Sequence, residues 1–203
     1  MSIQARVRVQ ALALFFLATA APRLLPAEEG SWRIDPLHSL AQFSVRHMMI
    51  STVRGQFGAV RGTLRYDPAN PSAAVVEATI DCTTINTGEP KRDNDLKGEE
   101  FFDVKKYPVM KFRSTKVEPG APGHLKVTGD LTINATTRIV VLDVEGPTPP
   151  VKDTQNRIKI GAGATAKISR REFGILYNPV METGGVAVSD EVAIVLDIEF
   201  IRN

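Results

Sequence analysis

The chain has 203 residues, which is the size of one ordinary domain. With 43% hydrophobic and 24% charged residues, its composition excludes a disordered chain and a polytopic membrane protein. The single cysteine, Cys82, excludes an intrachain disulfide and any metal site built from several cysteines.

The N-terminal segment at residues 1–27 has the features of a secretory signal peptide. Arg6 and Arg8 precede an apolar run at residues 11–21, and small residues suited to cleavage follow this run. The run is about half of the ~20 residues that a membrane-spanning helix needs, so a retained anchor is the weaker interpretation. We therefore predict a signal peptide at residues 1–27 and an exported, periplasmic domain at residues 28–203 that is not an integral membrane protein.

The charge of the predicted mature domain gives no support to nucleic-acid binding. The whole chain carries a formal charge of +2, but residues 1–27 hold three arginines and no acidic residue. Without this segment the charge is about −1. A domain that binds nucleic acid is normally basic, so we expect no nucleic-acid partner.

The rest of the chain predicts an all-β fold, because apolar and polar residues alternate in eight runs separated by glycine, proline, asparagine or aspartate. The runs cover residues 38–47, 56–67, 74–83, 109–118, 124–134, 136–145, 157–170 and 191–201. Each run presents one apolar face. Strands of this length would leave two long exposed edges in an open sheet, so we predict an antiparallel barrel of eight strands in up-and-down order.

Two segments interrupt the alternation, at residues 84–108 and 171–190. The first combines Leu96, Phe101 and Phe102 with many charges, which predicts one or two short helices. The second contains Asn178-Pro179 and is typical of a long loop with some packing. We predict that both segments cap or rim a mouth of the barrel.

The predicted lumen is thinly filled. The run at residues 157–170 presents Ala162, Ala164 and Ala166 inward, and other runs add Ala41 and Ala78. A barrel of eight strands is either filled by its own side chains or holds one small ligand, and small residues in series can mark a ligand tunnel. The tunnel would suit an elongated apolar molecule. The alternative is that the alanines only let strands or the cap pack closely.

The residues that we predict to contact an apolar ligand lie on the inward faces of the runs and on the two interrupting segments. They are Ala41, Phe43, Val45, Leu64, Ile80, Phe101, Phe102, Met110, Phe112, Leu131, Leu142, Ala162, Ala164, Ala166, Phe173, Ile194 and Leu196.

Four polar residues are candidates for contact with a polar headgroup. His47 is in phase with Val45, so it either points toward the lumen or is a satisfied histidine at the rim. Arg170 follows the inward phase of its run and would bring a positive charge to the mouth. Arg92 and Asp93 belong to the charged segment, where a solvated face is the ordinary explanation.

The sequence offers little for catalysis. It has no Gly-x-Ser-x-Gly elbow, no His-Glu-x-x-His pair and no glycine-rich phosphate loop. We predict no metal site and no cofactor, since the three histidines lack metal-ligand spacing. The enzyme alternative is a small hydrolase or cyclase that uses His47 with a nearby carboxylate such as Asp93.

Short motifs follow one another in a specific order along the predicted mature domain. They are Trp32-Arg33-Ile34-Asp35-Pro36-Leu37-His38-Ser39, Gly55-Gln56-Phe57, Thr87, Arg92-Asp93, Leu96, Phe101-Phe102-Asp103, Tyr107-Pro108, Gly129-Asp130-Leu131-Thr132-Ile133, Arg170, Phe173-Gly174 and Gly185-Val186. In this order, residues 32–201 resemble the YceI-like, polyisoprenoid-binding periplasmic proteins. The resemblance implies an extended lipocalin-like barrel whose lumen holds an isoprenoid or another long amphiphile.

Together, the patterns and the resemblance predict an all-β, eight-stranded antiparallel lipocalin-like barrel with short helical cap segments. We expect a binding protein that sequesters or carries an isoprenoid-like lipid, a quinone or a fatty amide, without covalent catalysis. Its partner would be a long apolar small molecule, and the sequence leaves a monomer and a homodimer open.

Overall fold

The protein is described by a computed structural model that covers residues 30–179 and 185–203. The predicted signal peptide at residues 1–27 lies outside the described residues, as does part of the second interrupting segment. No helix in the described ranges is long and apolar enough to cross a membrane.

Most of the described chain is β-sheet with one α-helix. The elements are β1 (Gly30–Ile34), β2 (Leu40–His47), β3 (Ser51–Phe57), β4 (Val60–Tyr66), β5 (Val75–Asp81), α1 (Pro90–Lys97), β6 (Val109–Pro119), β7 (His124–Ile133), β8 (Thr136–Glu145), β9 (Val151–Lys152), β10 (Ile158–Ser169) and β11 (Glu191–Arg202). Short 3-10 turns lie at Pro71–Ala73, Cys82–Thr84 and Arg170–Phe173.

Eight strands close into a ring in the order β11-β1-β4-β5-β6-β7-β8-β10, and β10 pairs again with β11. Every neighbouring pair in the ring is antiparallel. The predicted closed barrel is therefore confirmed, and closure leaves no unpaired edge in the ring.

The hairpin formed by β2 and β3 extends the wall at one end of the ring. One edge of β11 pairs with β1 through residues 200–202 and with β2 through residues 193–197. Gln56 of β3 then forms two backbone hydrogen bonds with Asn86, each of 2.9 Å. The hairpin thus joins the barrel to the segment that carries α1.

The first strands differ from the prediction, although the up-and-down order holds from β4 to β8. The run at residues 56–67 is two elements, because β3 ends at Phe57 and Ala59 has a φ of +52° that interrupts the extended chain. The strand β1 lies outside the eight runs. Its five residues complete the ring between β11 and β4.

A β-bulge in β6 changes which side chains face the lumen. Ser114 pairs with Gly129 and Lys116 pairs with Thr128, so Thr115 is an extra residue. The inward phase of Met110 and Phe112 therefore shifts by one residue. Val117 faces the lumen after the bulge.

The segment at residues 84–108 forms the predicted cap, with one short helix. The side chain of Glu89 accepts a hydrogen bond from the backbone of Lys91 at 3.0 Å, and Pro90 occupies the first turn of α1. The Asn134 side chain donates to the Phe101 carbonyl at 2.8 Å, and the Phe102 ring meets Phe57 edge-on at 5.4 Å. These contacts hold the cap against the barrel.

Candidate functional site

The lumen contains a cavity of about 920 Å³. This volume is near the upper end of the ~300–1,000 Å³ range of ligand pockets. The successive inward alanines of β10 line it, and the apolar face of β11 lies beside them. The side chains of this wall are too small to fill the space that the ring encloses.

Nearly all the residues that the sequence proposed for ligand contact lie at the cavity wall. These lining residues are Ala41, Phe43, Val45, His47, Leu64, Ile80, Arg92, Phe101, Phe102, Met110, Phe112, Leu131, Leu142, Ala162, Ala164, Ala166, Arg170, Ile194 and Leu196. Their contact with a ligand stays a prediction.

Two predicted residues, Phe173 and Asp93, do not line the cavity. Because β10 ends at Ser169, the alternation stops, and the following 3-10 turn directs Phe173 into the core, where it is 1% exposed. The carboxylate of Asp93 accepts hydrogen bonds from the backbone N and the hydroxyl of Thr87, at 2.8 and 2.6 Å. The Asp93 side chain therefore holds Thr87 in place just before α1 and does not line the lumen.

Sequence reasoning missed other lining residues. Ile34 lies on the short strand β1, Val117 follows the bulge, and Tyr177 belongs to a loop without alternation. The alternation of Trp32 and Ile34 in Gly30–Ile34 is a signal that could have identified β1. A bulge and a loop leave no comparable periodic signal.

The two ends of the cavity differ in polarity. The cap joins the end of β5 to the start of β6, so these strand ends lie at the capped end, and the start of β5 lies at the far end. The charged lining residues of the described chain, with His47, gather at the capped end: His47, Arg92, Asp95, Glu99, Glu100 and Arg170. The far end is lined by Tyr66, Ala74, Val117, Leu125, Val144 and Pro147. This arrangement suits an amphiphile whose polar group stays near the cap.

Arg170 organises the loops at the capped end. Its guanidinium donates to the carbonyl oxygens of Ser189, Ile175, Tyr177 and Val188, at 3.0, 2.8, 2.8 and 3.3 Å. The residue is 5% exposed, and burial lowers the pKa of its guanidinium. Since all but one of its N–H donors serve these carbonyls, Arg170 mainly positions the mouth.

Arg92 is the better candidate for a headgroup contact. Its Nε donates to the Thr87 hydroxyl at 2.8 Å and its Nη2 to the Thr87 carbonyl at 3.0 Å. Within the described ranges its Nη1 forms no hydrogen bond, and the side chain lines the cavity. Tyr177 also lines this end, with its ring 5.0 Å from that of Phe101.

His47 lies exposed at the end of β2 and lines the cavity. It makes no side-chain hydrogen bond or ion pair with any residue that the structure describes, and Asp93 is engaged by Thr87. The structure therefore does not form the histidine–carboxylate pair that the enzyme alternative requires.

A separate polar cluster lies outside the lumen. Oxygen or nitrogen atoms of Asp35, His38 and Glu199 approach within 4.8 Å of one another, which is a distance compatible with a metal ion. The Lys159 ammonium, however, lies 2.5 Å from Glu199 Oε1 and 3.5 Å from Asp35 Oδ2. The hydrogen bond with His38 lowers the pKa of Asp35 to about 2, against the opposing effect of burial. The cluster thus carries its own cation.

A closed ring of eight antiparallel strands around an apolar lumen defines the class of lipocalin-like barrels. The chain belongs to the YceI-like family, since the family model described as YceI-like domain matches residues 32–200. A UPF0312 protein of Staphylococcus aureus (strain bovine RF122 / ET3-1) is 31% identical over 170 residues, which are 84% of this chain and 96% of that protein.

Two solved structures share the fold. Burkholderia cenocepacia BcnA has a TM-score of 0.69 at 23% identity, over 82% of this chain and 98% of that one. A polyisoprenoid binding domain from Saccharophagus degradans, implicated in plant cell wall breakdown, has a TM-score of 0.61 at 15% identity, over 85% and 98% of the two chains.

Proposed function

We propose that the protein binds one long apolar molecule in its lumen and carries or sequesters it without covalent chemistry. The ligand class is an isoprenoid, a quinone or a fatty amide. The observation that carries this proposal is the cavity of about 920 Å³, apolar at its far end and charged at its capped end. Membership of the YceI-like family and the similarity to a domain named for polyisoprenoid binding support it.

The dimensions of the barrel favour an elongated ligand. The strand β7 has ten residues. At ~3.3 Å per residue and a tilt of ~40°, such a strand spans roughly 25 Å along the barrel axis. Burial of about ten methylene groups at ~0.8 kcal/mol each contributes roughly 8 kcal/mol, enough for micromolar binding before association costs.

The capped end would hold the polar group of the ligand. Arg92 offers a guanidinium with an uncommitted Nη1 in the described chain, and the Tyr177 ring lies beside Phe101 at the same end. Arg170 would keep the surrounding loop in place. We also propose that residues 1–27 direct export to the periplasm, as their arginines and apolar run suggest.

Native mass spectrometry after gentle purification, followed by organic extraction, tests the proposal. We expect a bound apolar compound in the wild-type protein and its loss in Ala164→Trp, which places a bulky ring across the lumen. The matched control is Ile139→Trp, on the exposed face of β8, which should keep the ligand. An empty wild-type protein that also ignores added isoprenoids would contradict the proposal. Turnover that His47→Ala abolishes, with ligand binding intact, would favour the enzyme alternative.

A further inference from the structure

The hairpin between β2 and β3 ends in three exposed apolar residues at the capped end of the lumen. Met48, Met49 and Ile50 are 43%, 56% and 77% exposed, and they directly follow His47, which lines the cavity. Large apolar side chains of this kind are usually buried, so a contiguous exposed set at a ligand entrance indicates an interaction surface.

Met48 and Met49 do not suit the backbone conformation of this turn. The Ile50 amide donates to the His47 carbonyl at 3.1 Å, and Met48 and Met49 have φ values of +50° and +60°. Met48 and Met49 thus both have left-handed φ values, which glycine and asparagine adopt readily and bulky side chains adopt with strain. Two methionines at these positions favour neither the stability of the turn nor the solubility of the protein. Their side chains therefore have another role.

The last part of the second interrupting segment, at residues 185–190, enlarges the apolar surface. Met48 donates its backbone N–H to the Ala187 carbonyl at 2.8 Å, and His47 forms a bridge with Val188. This pairing brings Val186, which is 43% exposed, beside the turn. We call Met48, Met49, Ile50 and Val186 the tip patch.

Two exposed arginines lie on the same hairpin as the tip patch. Between Asp35 and Asp67 the chain has no acidic residue and four arginines, two of which, Arg46 and Arg54, are exposed on the hairpin itself. Arg46 Nη2 donates to the Met49 carbonyl at 2.9 Å, so its charge lies just below the patch.

Two acidic residues next to the hairpin already interact with basic groups. On the adjacent strand β11, Glu191 already pairs with Lys167 at 2.9 Å. Asp190, just before that strand, interacts electrostatically with the guanidinium of the buried Arg170. An apolar tip beside the exposed Arg46 and Arg54 is complementary to a bilayer that contains anionic lipids. Apolar side chains enter the interface of such a bilayer, and arginines bind its phosphates.

We propose that the tip patch docks the mouth of the barrel onto an anionic lipid bilayer, where the ligand enters or leaves the lumen. The inference rests on the proposed function, because an apolar ligand resides in membranes rather than in water. The patch is small, so docking is weak, reversible and reduced by salt.

Sedimentation with phosphatidylcholine vesicles, with and without phosphatidylglycerol, tests the docking. The wild-type protein should bind the phosphatidylglycerol vesicles at low salt, and the double variant M48N/M49G should bind about tenfold less. Asparagine and glycine suit the left-handed φ values of these two positions, so this variant should retain the fold of the hairpin. Arg54→Gln should weaken vesicle binding and make the remaining binding less sensitive to salt. Leu37→Asn, which removes an 86% exposed leucine from the turn between β1 and β2, is the matched control and should bind like the wild type.

Equal binding by wild type and M48N/M49G, or no vesicle binding by the wild type, would overturn the proposal. Self-association, or capture of a protein partner, that depends on the tip patch without vesicle binding would also overturn it. Native mass spectrometry of the same samples separates the two proposals. Vesicle binding with an empty lumen would support docking and contradict the proposed ligand function.

Discussion

The two ends of the lumen are built differently. At the far end, regular strands supply short apolar side chains such as Val144 and Leu125, and the wall needs no special contact. At the capped end, a helix and two loops supply Arg92, Tyr177 and Arg170, and specific hydrogen bonds hold each segment. Burial in the strand wall would therefore give affinity for any suitable apolar chain, whereas the capped end would decide which polar group is accepted.

The largest expected effect is the loss of stability when a residue of the packed core is truncated, which should exceed the loss at the cavity wall. Phe173→Ala should lower the free energy of unfolding by about 3–5 kcal/mol, because it opens a cavity in packed core. Phe112→Ala should cost less stability, since Phe112 already borders the cavity, but it should weaken ligand binding. Urea denaturation and ligand titration measure the two quantities. Equal losses of stability would contradict the distinction.

The next effect tests how the capped end is held. Arg170→Leu should lower the free energy of unfolding by about 3 kcal/mol, because it leaves buried carbonyl oxygens without donors. Arg170→Lys should not restore it, since an ammonium cannot reach four carbonyls in the same geometry. The control is the exposed neighbour, Arg171→Leu, which should change stability by less than ~0.5 kcal/mol. If Arg171→Leu lowered the free energy of unfolding as much as Arg170→Leu, the hydrogen bonds of Arg170 would not explain the loss of stability.

A smaller effect tests selectivity at the capped end. Arg92→Gln should reduce affinity for an amphiphile with an anionic headgroup by about tenfold and leave affinity for a neutral chain unchanged. Lys91→Gln, on the same helix and exposed, should alter neither affinity. Isothermal titration with the two ligand types checks this. The assignment fails if Arg92→Gln weakens both ligands equally.

The last effect is a pH dependence and concerns the outer cluster, which belongs to neither end. The lowered pKa of Asp35 means that its ionised form stabilises the fold. This contribution is complete above its ordinary pKa near 4 and is lost as pH falls toward about 2. His38, Lys159 and Glu199 face the carboxylate. Asp35→Asn should flatten the decline of unfolding free energy in this window, in urea titrations from pH 6 to 2, without changing ligand affinity at neutral pH.

A residual acid dependence should persist in Asp35→Asn. Hydrogen bonds from the Arg157 backbone and side chain hold the pKa of Asp153 at about 2, against the effect of burial. An unchanged pH profile in Asp35→Asn would show that the Asp35 carboxylate contributes nothing measurable in this range.

The strand wall was predictable because alternation is a local property of the sequence. The inward phases of β10 and β11 follow directly from residues such as Ala164 and Leu196. The bulge at Thr115 was not predictable in this way, since its position depends on pairing with Gly129 and Thr128. The break after Phe57 was also not predictable from the alternation, because alanine is not a residue type that usually marks a positive φ.

The capped end was less predictable because tertiary contacts decide it. Arg170 has the inward phase that the sequence indicates, yet the carbonyls that use its donors come from separate loops. Phe173 and Asp93 were assigned to the lumen from chain position alone. A turn and the hydrogen bonds with Thr87 direct them elsewhere.

Cross-linking can map where each end of a bound amphiphile lies in the lumen. Two photoactivatable isoprenoid probes, one with a diazirine on the tail terminus and one with it on the headgroup, can be cross-linked and located by peptide mass spectrometry. We expect the tail probe to label the far end near Leu125 and Val144, and the headgroup probe to label Phe101 or Tyr177. Labelling in the reverse order, or only on the outer wall, would contradict a lumen that binds an amphiphile with its polar group under the cap.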